Sequence, residues 1–216
     1  MTDDERQQTV TSPGLKTMIL AHRAMLRDLD RIARTATALA GAPDPDRTRH
    51  LAAYARRLTE LIHHHHEGED EVLWPALRER GADEEALSLL QEEHAALEGR
   101  LDGFGRAIEA LSPDGTGAAD LAKAATGVRE LLAVHTADEE RELAGRLAPA
   151  LDPKLWARFE KSMVKSAARW TLTFMPPWLA SVAEDSERGG VPAKPVAALM
   201  RSRLERRQRA AFGEHY

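Results

Sequence analysis

Four stretches in the first 150 residues repeat apolar side chains at helical spacing, and each places one histidine on its apolar stripe. Residues three, four and seven apart share one face of a helix. In the first stretch, from near Pro13 to Ala40, His22 follows Leu15 by seven residues and Ile19 by three. In the second, about Asp46 to Arg80, His65 continues a stripe of Leu58, Leu61 and Ile62. In the third, which begins after Gly81-Ala-Asp, His94 follows Leu87 by seven and Leu90 by four. In the fourth, about Ala118 to Leu147, His135 continues Val128, Leu131 and Leu132. Ser12-Pro13 is a good helix start, and Pro75 is expected to end or kink the second helix. Gly41-Ala-Pro-Asp-Pro and Ser112-Pro-Asp-Gly-Thr-Gly read as connections. The pattern predicts an all-α fold: an up-down-up-down four-helix bundle over residues 1–150, with a C-terminal helical extension over 151–216.

Such phasing aims all four imidazoles into the bundle. Two of them carry a glutamate one turn later on the same face: His65 with Glu69, and His135 with Glu139. A buried carboxylate is costly unless it is paired or bound to a metal. Four inward histidines and two inward glutamates therefore point to cations held between the helices. The chain has no cysteine, which leaves imidazole and carboxylate donors, a set that suits iron, manganese or zinc. His63, His64 and His66 flank His65 and are expected at the surface or just behind the ligands. A one-residue slip would put His66 and Asp70 in place of His65 and Glu69; the phase of Leu58 to Ile62 favours His65.

His65-His-Glu-Gly-Glu69-Asp-Glu-Val-Leu-Trp-Pro75 resembles the H-x-x-x-E-E-x-x-L-F-P signature of hemerythrin-like cation-binding domains, with Asp70 for the second acid and Trp74 for the Phe. His135-Thr-Ala-Asp-Glu139-Glu140-Arg-Glu-Leu143 repeats it without the Phe-Pro end, and His22 and His94 resemble the family's two lone histidines. The resemblance covers about residues 13–150. It implies two iron ions, oxo- or hydroxo-bridged, with His22, His65, His94 and His135 capping them and Glu69 and Glu139 bridging. Oxygen-carrying members have a second histidine four residues after the third-helix one, where this chain has Glu98. The pattern is closer to bacterial four-histidine members. Two octahedral irons offer about 12 positions. Four imidazoles, two bridging carboxylates and a bridging oxygen leave roughly two open, unless Glu98 also becomes a ligand.

The functional expectation is a diiron protein that binds or reduces dioxygen, peroxide or nitric oxide, and whose standing as an oxidoreductase the sequence leaves open. Two alternatives stand beside it. One is an oxygen-activating biosynthetic enzyme acting on an organic substrate, which requires a pocket wider than a diatomic molecule. The other is a non-catalytic iron or oxygen sensor.

The formal charge is −5, with 12 Lys and Arg against 6 acids from Pro153 onward. That part is +6 and the first 152 residues carry −11, which argues against nucleic-acid binding by the bundle. The basic extension is expected to lie against the acidic part. No apolar run approaches the roughly 20 residues of a membrane span, and the acidic N-terminus lacks signal-peptide form, so a cytoplasmic protein is expected. In the extension, helices are expected near 153–169 and 194–211. Between them, Trp170–Leu179 is an apolar, proline-broken segment expected to cap one end of the bundle or to form a homodimer contact.

Overall fold

The computed structural model describes residues 13–216, so Ser12, the expected helix start, lies outside the described residues. Helix α1 spans Pro13–Gly41 and α2 spans Pro45–Gly68. Asp44 starts α2, its carboxylate accepting from the backbone N–H groups of Asp46 and Arg47. A π-turn over Glu69–Leu73 then leads into α3, Trp74–Glu79. The kink expected at Pro75 takes this form: the helix widens one turn ahead of the proline, and the Trp74 N–H bonds the Glu69 carbonyl. Pro75 falls in the first turn of α3, where its missing donor is tolerated.

Asp83 caps α4, Glu84–Ala110, by accepting from the Ala86 N–H at 2.9 Å. A turn with Gly115 and Gly117 at φ 87° and 82° feeds α5, Ala118–Ala144. Helix α1 packs against α2 and α5, and α4 packs against the same two, which closes an antiparallel four-helix ring. Two apolar clusters fill it. One contains Leu29, Leu58, Phe104 and Leu132, and the other contains Leu15, Trp74, Leu87 and Leu143. On each helix the chemistry-bearing histidine falls between a residue of one cluster and a residue of the other. The core is thus split by a polar layer.

The extension forms α6 (Pro153–Ser166), α7 (Thr171–Ala180), a 3-10 segment at Asp185–Gly190, and α8 (Lys194–Phe212). The segment expected to be broken by prolines is helical despite Pro176 and Pro177 inside it. Burial of Phe174, Trp178 and Leu179 outweighs the lost backbone bonds. Helix α8 packs on α2 and α7, and α7 also meets α1, so these two helices run along the α1–α2 side of the ring. Their docking centres on buried Asp28, which accepts from Tyr54 Oη at 2.6 Å and from Trp178 Nε1 at 2.7 Å. Gln208 Nε2 of α8 donates to Tyr54 Oη at 3.0 Å. Tyr54 is therefore a core residue that joins the bundle to the extension. The expected pairing of a basic extension with an acidic bundle is not what joins them here. Arg23 of α1 holds Glu187 of the extension by two bonds of 2.6 and 2.8 Å, the reverse polarity. At Gly190 a Cβ would lie 2.7 Å from Lys16 Cβ, so glycine permits this close approach to α1.

Candidate metal centre

The polar layer brings together His22 from α1, His65 and Glu69 from the second bundle helix, His94 from α4, and His135 and Glu139 from α5. All are buried, and both glutamates have 0% exposure. His66 joins them at 7% exposure. The donors form two groups: His22, His65, Glu69 and Glu139, and His66, Glu69, His94 and His135. Within each group the ligand-type atoms lie within 4.8 Å of one another.

Glu69 belongs to both groups, and Glu139, of the first, also approaches His135 of the second. Glu69 Oε1 is 3.0 Å from His65 Nε2 and its Oε2 is 3.5 Å from His94 Nε2. Glu139 Oε2 is 3.2 Å from His22 Nε2 and 3.8 Å from His135 Nε2. The imidazoles face each other in pairs, His22 with His65 at 2.9 Å and His94 with His135 at 3.1 Å, Nε2 to Nε2.

The outer nitrogens explain why the inner ones face inward. His22 Nδ1 bonds Glu140 at 2.8 Å, His94 Nδ1 bonds Asp70 at 2.9 Å, and His135 Nδ1 bonds Glu93 at 3.0 Å. On a neutral ring, a carboxylate at Nδ1 fixes the proton there and leaves a lone pair on Nε2. His94 and His135, when neutral, then oppose two lone pairs that cannot bond each other. None of the four glutamate oxygens accepts a hydrogen bond, and His66 Nε2 also lacks a partner. Buried polar groups are ordinarily satisfied. Converging lone pairs and orphaned carboxylates are the donor set that a cation completes.

The family model for the hemerythrin HHE cation binding domain matches residues 14–147. The chain belongs to this family. Comparisons with curated proteins and with solved structures gave no significant match. As a hemerythrin-family domain, the bundle carries a buried His/Glu cluster suited to metal ions. Among the described residues no helix is long and apolar enough to cross a membrane.

In the hemerythrin-like bundle His66 is buried among the donors themselves, where a place at the surface or just behind the ligands was expected. A bundle helix buries a stripe at least 100° wide. His66 is four residues after Ile62 and eight after Leu58, so it lies on that stripe beside His65. This spacing was the available signal. Asp70 pairs with His94 instead of His66. Glu98 turns outward: its side chain is 61% exposed and lies 3.3 Å from His63 Nδ1.

Without metal the cluster is expected to weaken in acid. Burial lowers His65 from 6.5 to about 3 and His135 from 6.5 to about 4. Burial also holds His66 well below 6.5. The unfolded chain protonates all three near 6.5, so it binds more protons than the native state below that pH, and acid favours it. His22 runs the other way. Burial opposes its cation, but the charge of Glu139 and the Glu140 bond raise it to about 9. Its contribution is complete below 6.5 and fades as pH rises through about 9. For Glu139, burial works upward but the His22 charge prevails and lowers it from 4.5 to about 2, so its contribution is complete above 4.5 and fades as pH falls toward about 2. Denaturant melts of the metal-free protein should show stability falling from pH 6.5 toward pH 4. A flat profile over that window would contradict the neutral, buried state of these histidines.

Proposed function

We propose that the chain is a non-haem diiron protein that binds or reduces dioxygen, peroxide or nitric oxide. In this reading Glu69 and Glu139 would hold both irons, and His22, His65, His94 and His135 would complete the ligand set. The observation that carries it is the pair of donor groups joined through Glu69, whose two oxygens approach histidines of opposite groups. His66 adds a fifth imidazole to the His94–His135 half. It would take one of the two positions that four imidazoles leave and would make the set uneven. The His22–His65 half has fewer histidine donors and would be the half with room for a small ligand.

When bound, two irons supply the redox and ligand-binding chemistry such oxidants require. The chain's own residues do the rest. Glu140, Asp70 and Glu93 hold the Nδ1 protons of His22, His94 and His135 and so keep each Nε2 lone pair turned inward. The apolar clusters on either side exclude water, which strengthens every charge interaction in the layer. A second reading, an oxygen-activating enzyme with an organic substrate, draws support from a chamber that touches His65.

The test is metal content and the oxidised absorption spectrum of protein made in iron-supplemented medium without an affinity-tag metal. Two irons per chain are expected, with near-ultraviolet charge-transfer bands that vanish in His135→Ala and survive in Glu98→Ala. No iron, or a single tightly held zinc, sinks the diiron reading. Steady consumption of peroxide or nitric oxide by the loaded protein then separates reduction from binding alone.

A further inference from the structure

The bundle and the extension flank a half-open chamber of about 420 Å³. One wall is α1 around Ala21 and α2 from Leu61 to His65, and the facing wall is α6 and α7. His65 belongs to both the chamber lining and the polar layer, where its Nε2 faces that of His22. Gly68, one turn beyond, lets α6 close the end: a Cβ there would lie 2.1 Å from Met163 Sδ. We propose that this chamber binds a neutral, apolar small molecule and seats it against the His65 imidazole. What that molecule means for oxidant chemistry rests on the diiron reading; the binding does not.

The lining decides the chemical class. It contains no Lys or Arg among the described residues, and its one carboxylate, Glu160, is exposed at the surface. A carboxylate or phosphate on the ligand would find no counter-ion and would lose its hydration. Three polar side chains on the walls are already engaged by the chain. Thr17 donates to the Gly190 carbonyl at 2.7 Å, Thr171 donates to the Ala168 carbonyl at 2.6 Å, and His64 bonds Ser166 at 2.9 Å. Four of the six methionines, Met18, Met25, Met163 and Met175, line it. Thioether side chains adapt to varied apolar shapes.

Size narrows the occupant further. An apolar cavity of about 150 Å³ takes benzene, and this one is roughly three times larger. Its volume falls within the range of small-molecule sites. The chamber is a product of the extension: α6 and α7 supply Phe159, Met163, Met175 and Leu179, and without them His65 would face solvent.

The test uses the full-length metal-free protein and the neutral fluorophore N-phenyl-1-naphthylamine. Saturable binding at one site per chain with a blue-shifted emission is expected. Met175→Trp and Ala167→Trp fill the chamber from two places, and each should weaken the probe by about tenfold or more while melts show the fold intact. Dodecan-1-ol should displace the probe, and dodecanoate should do so far less well. Nuclear Overhauser contacts from the bound probe to the His65 ring, in histidine-labelled protein, locate it. Unchanged binding in both filled variants, displacement by dodecanoate as good as by the alcohol, or a bound probe with no contact to His65 would each overturn the proposal. Iron content of protein grown as above is a separate readout. Protein that binds the probe but takes up no iron loses the diiron reading and keeps this one.

Discussion

Asp28→Ala is expected to cost the folded protein about 3–5 kcal/mol, the scale of breaking a buried charged network by removing one partner. Asp28 is 0% exposed and its carboxylate serves four donors. Beside Tyr54 and Trp178, Arg27 Nε reaches it at 2.8 Å and Arg31 Nη1 at 3.3 Å. Alanine leaves two buried neutral donors without an acceptor and two guanidinium groups without a counter-charge. For a chain of this size the midpoint of a thermal melt should fall on the order of 10 °C. The loss should fall first on the extension, because Trp178 and, through Tyr54, Gln208 are the bonds it makes to this carboxylate. Amide exchange in α7 and α8 should accelerate more than in α4 and α5. Trp178→Phe removes one donor and its bond and should cost about 1 kcal/mol. Equal melts for Asp28→Ala and the parent protein would show that this network does not hold the two parts together.

Glu69→Met should move stability in opposite directions with and without metal. In the metal-free protein Glu69 is a buried carboxyl whose oxygens accept no hydrogen bond. Burial, then the Glu139 charge, push its pKa well above the usual 4.5. Replacing an unsatisfied buried polar group by an apolar one of similar length removes its desolvation cost, worth about 1–3 kcal/mol. The variant should therefore melt at or above the parent when both are metal-free. Loaded protein should behave the other way. An ion that binds only the native state stabilises it by about 4 kcal/mol at a thousandfold excess over its dissociation constant. Loss of the shared carboxylate should abolish most of that gain for both irons. The comparison is four melts: parent and variant, each with iron and with a chelator. A parent protein indifferent to iron would remove the basis for the diiron proposal. A variant that keeps the full iron-dependent rise would remove Glu69 from the ligand set. In the proposed diiron protein, function opposes metal-free stability, as expected where a site stores unsatisfied groups for a ligand.

The helical phasing made the bundle and much of the polar layer legible in advance. His22, His65, His94 and His135 each sit a whole number of turns from buried leucines, and Glu69 and Glu139 sit one turn further, so their common inward direction follows from local geometry. His66 was within reach of the same rule. It was missed because the apolar stripe was drawn too narrow to hold two adjacent histidines, although Ile62 and Leu58 placed it there. Asp70 lies one turn beyond His66 on the same helix, yet it reaches across to His94. No spacing within one helix reveals a bond between two.

What the sequence by itself determined is the helices, their breaks, and which face of each is buried, because these depend on residues within a few turns of one another. The tertiary structure alone decided the rest. It paired the imidazoles across helices, turned Glu98 to solvent, and made a helix of a segment carrying two prolines by burying Trp178 and Phe174. It also set the extension along the α1–α2 side, where Asp28 meets Trp178 and where a chamber opens onto His65. Asp28 and Trp178 are separated by 150 positions in the chain, and their contact depends on how whole helices pack. Periodicity is a property of one helix, whereas pairing, docking and enclosed volume are properties of several helices at once.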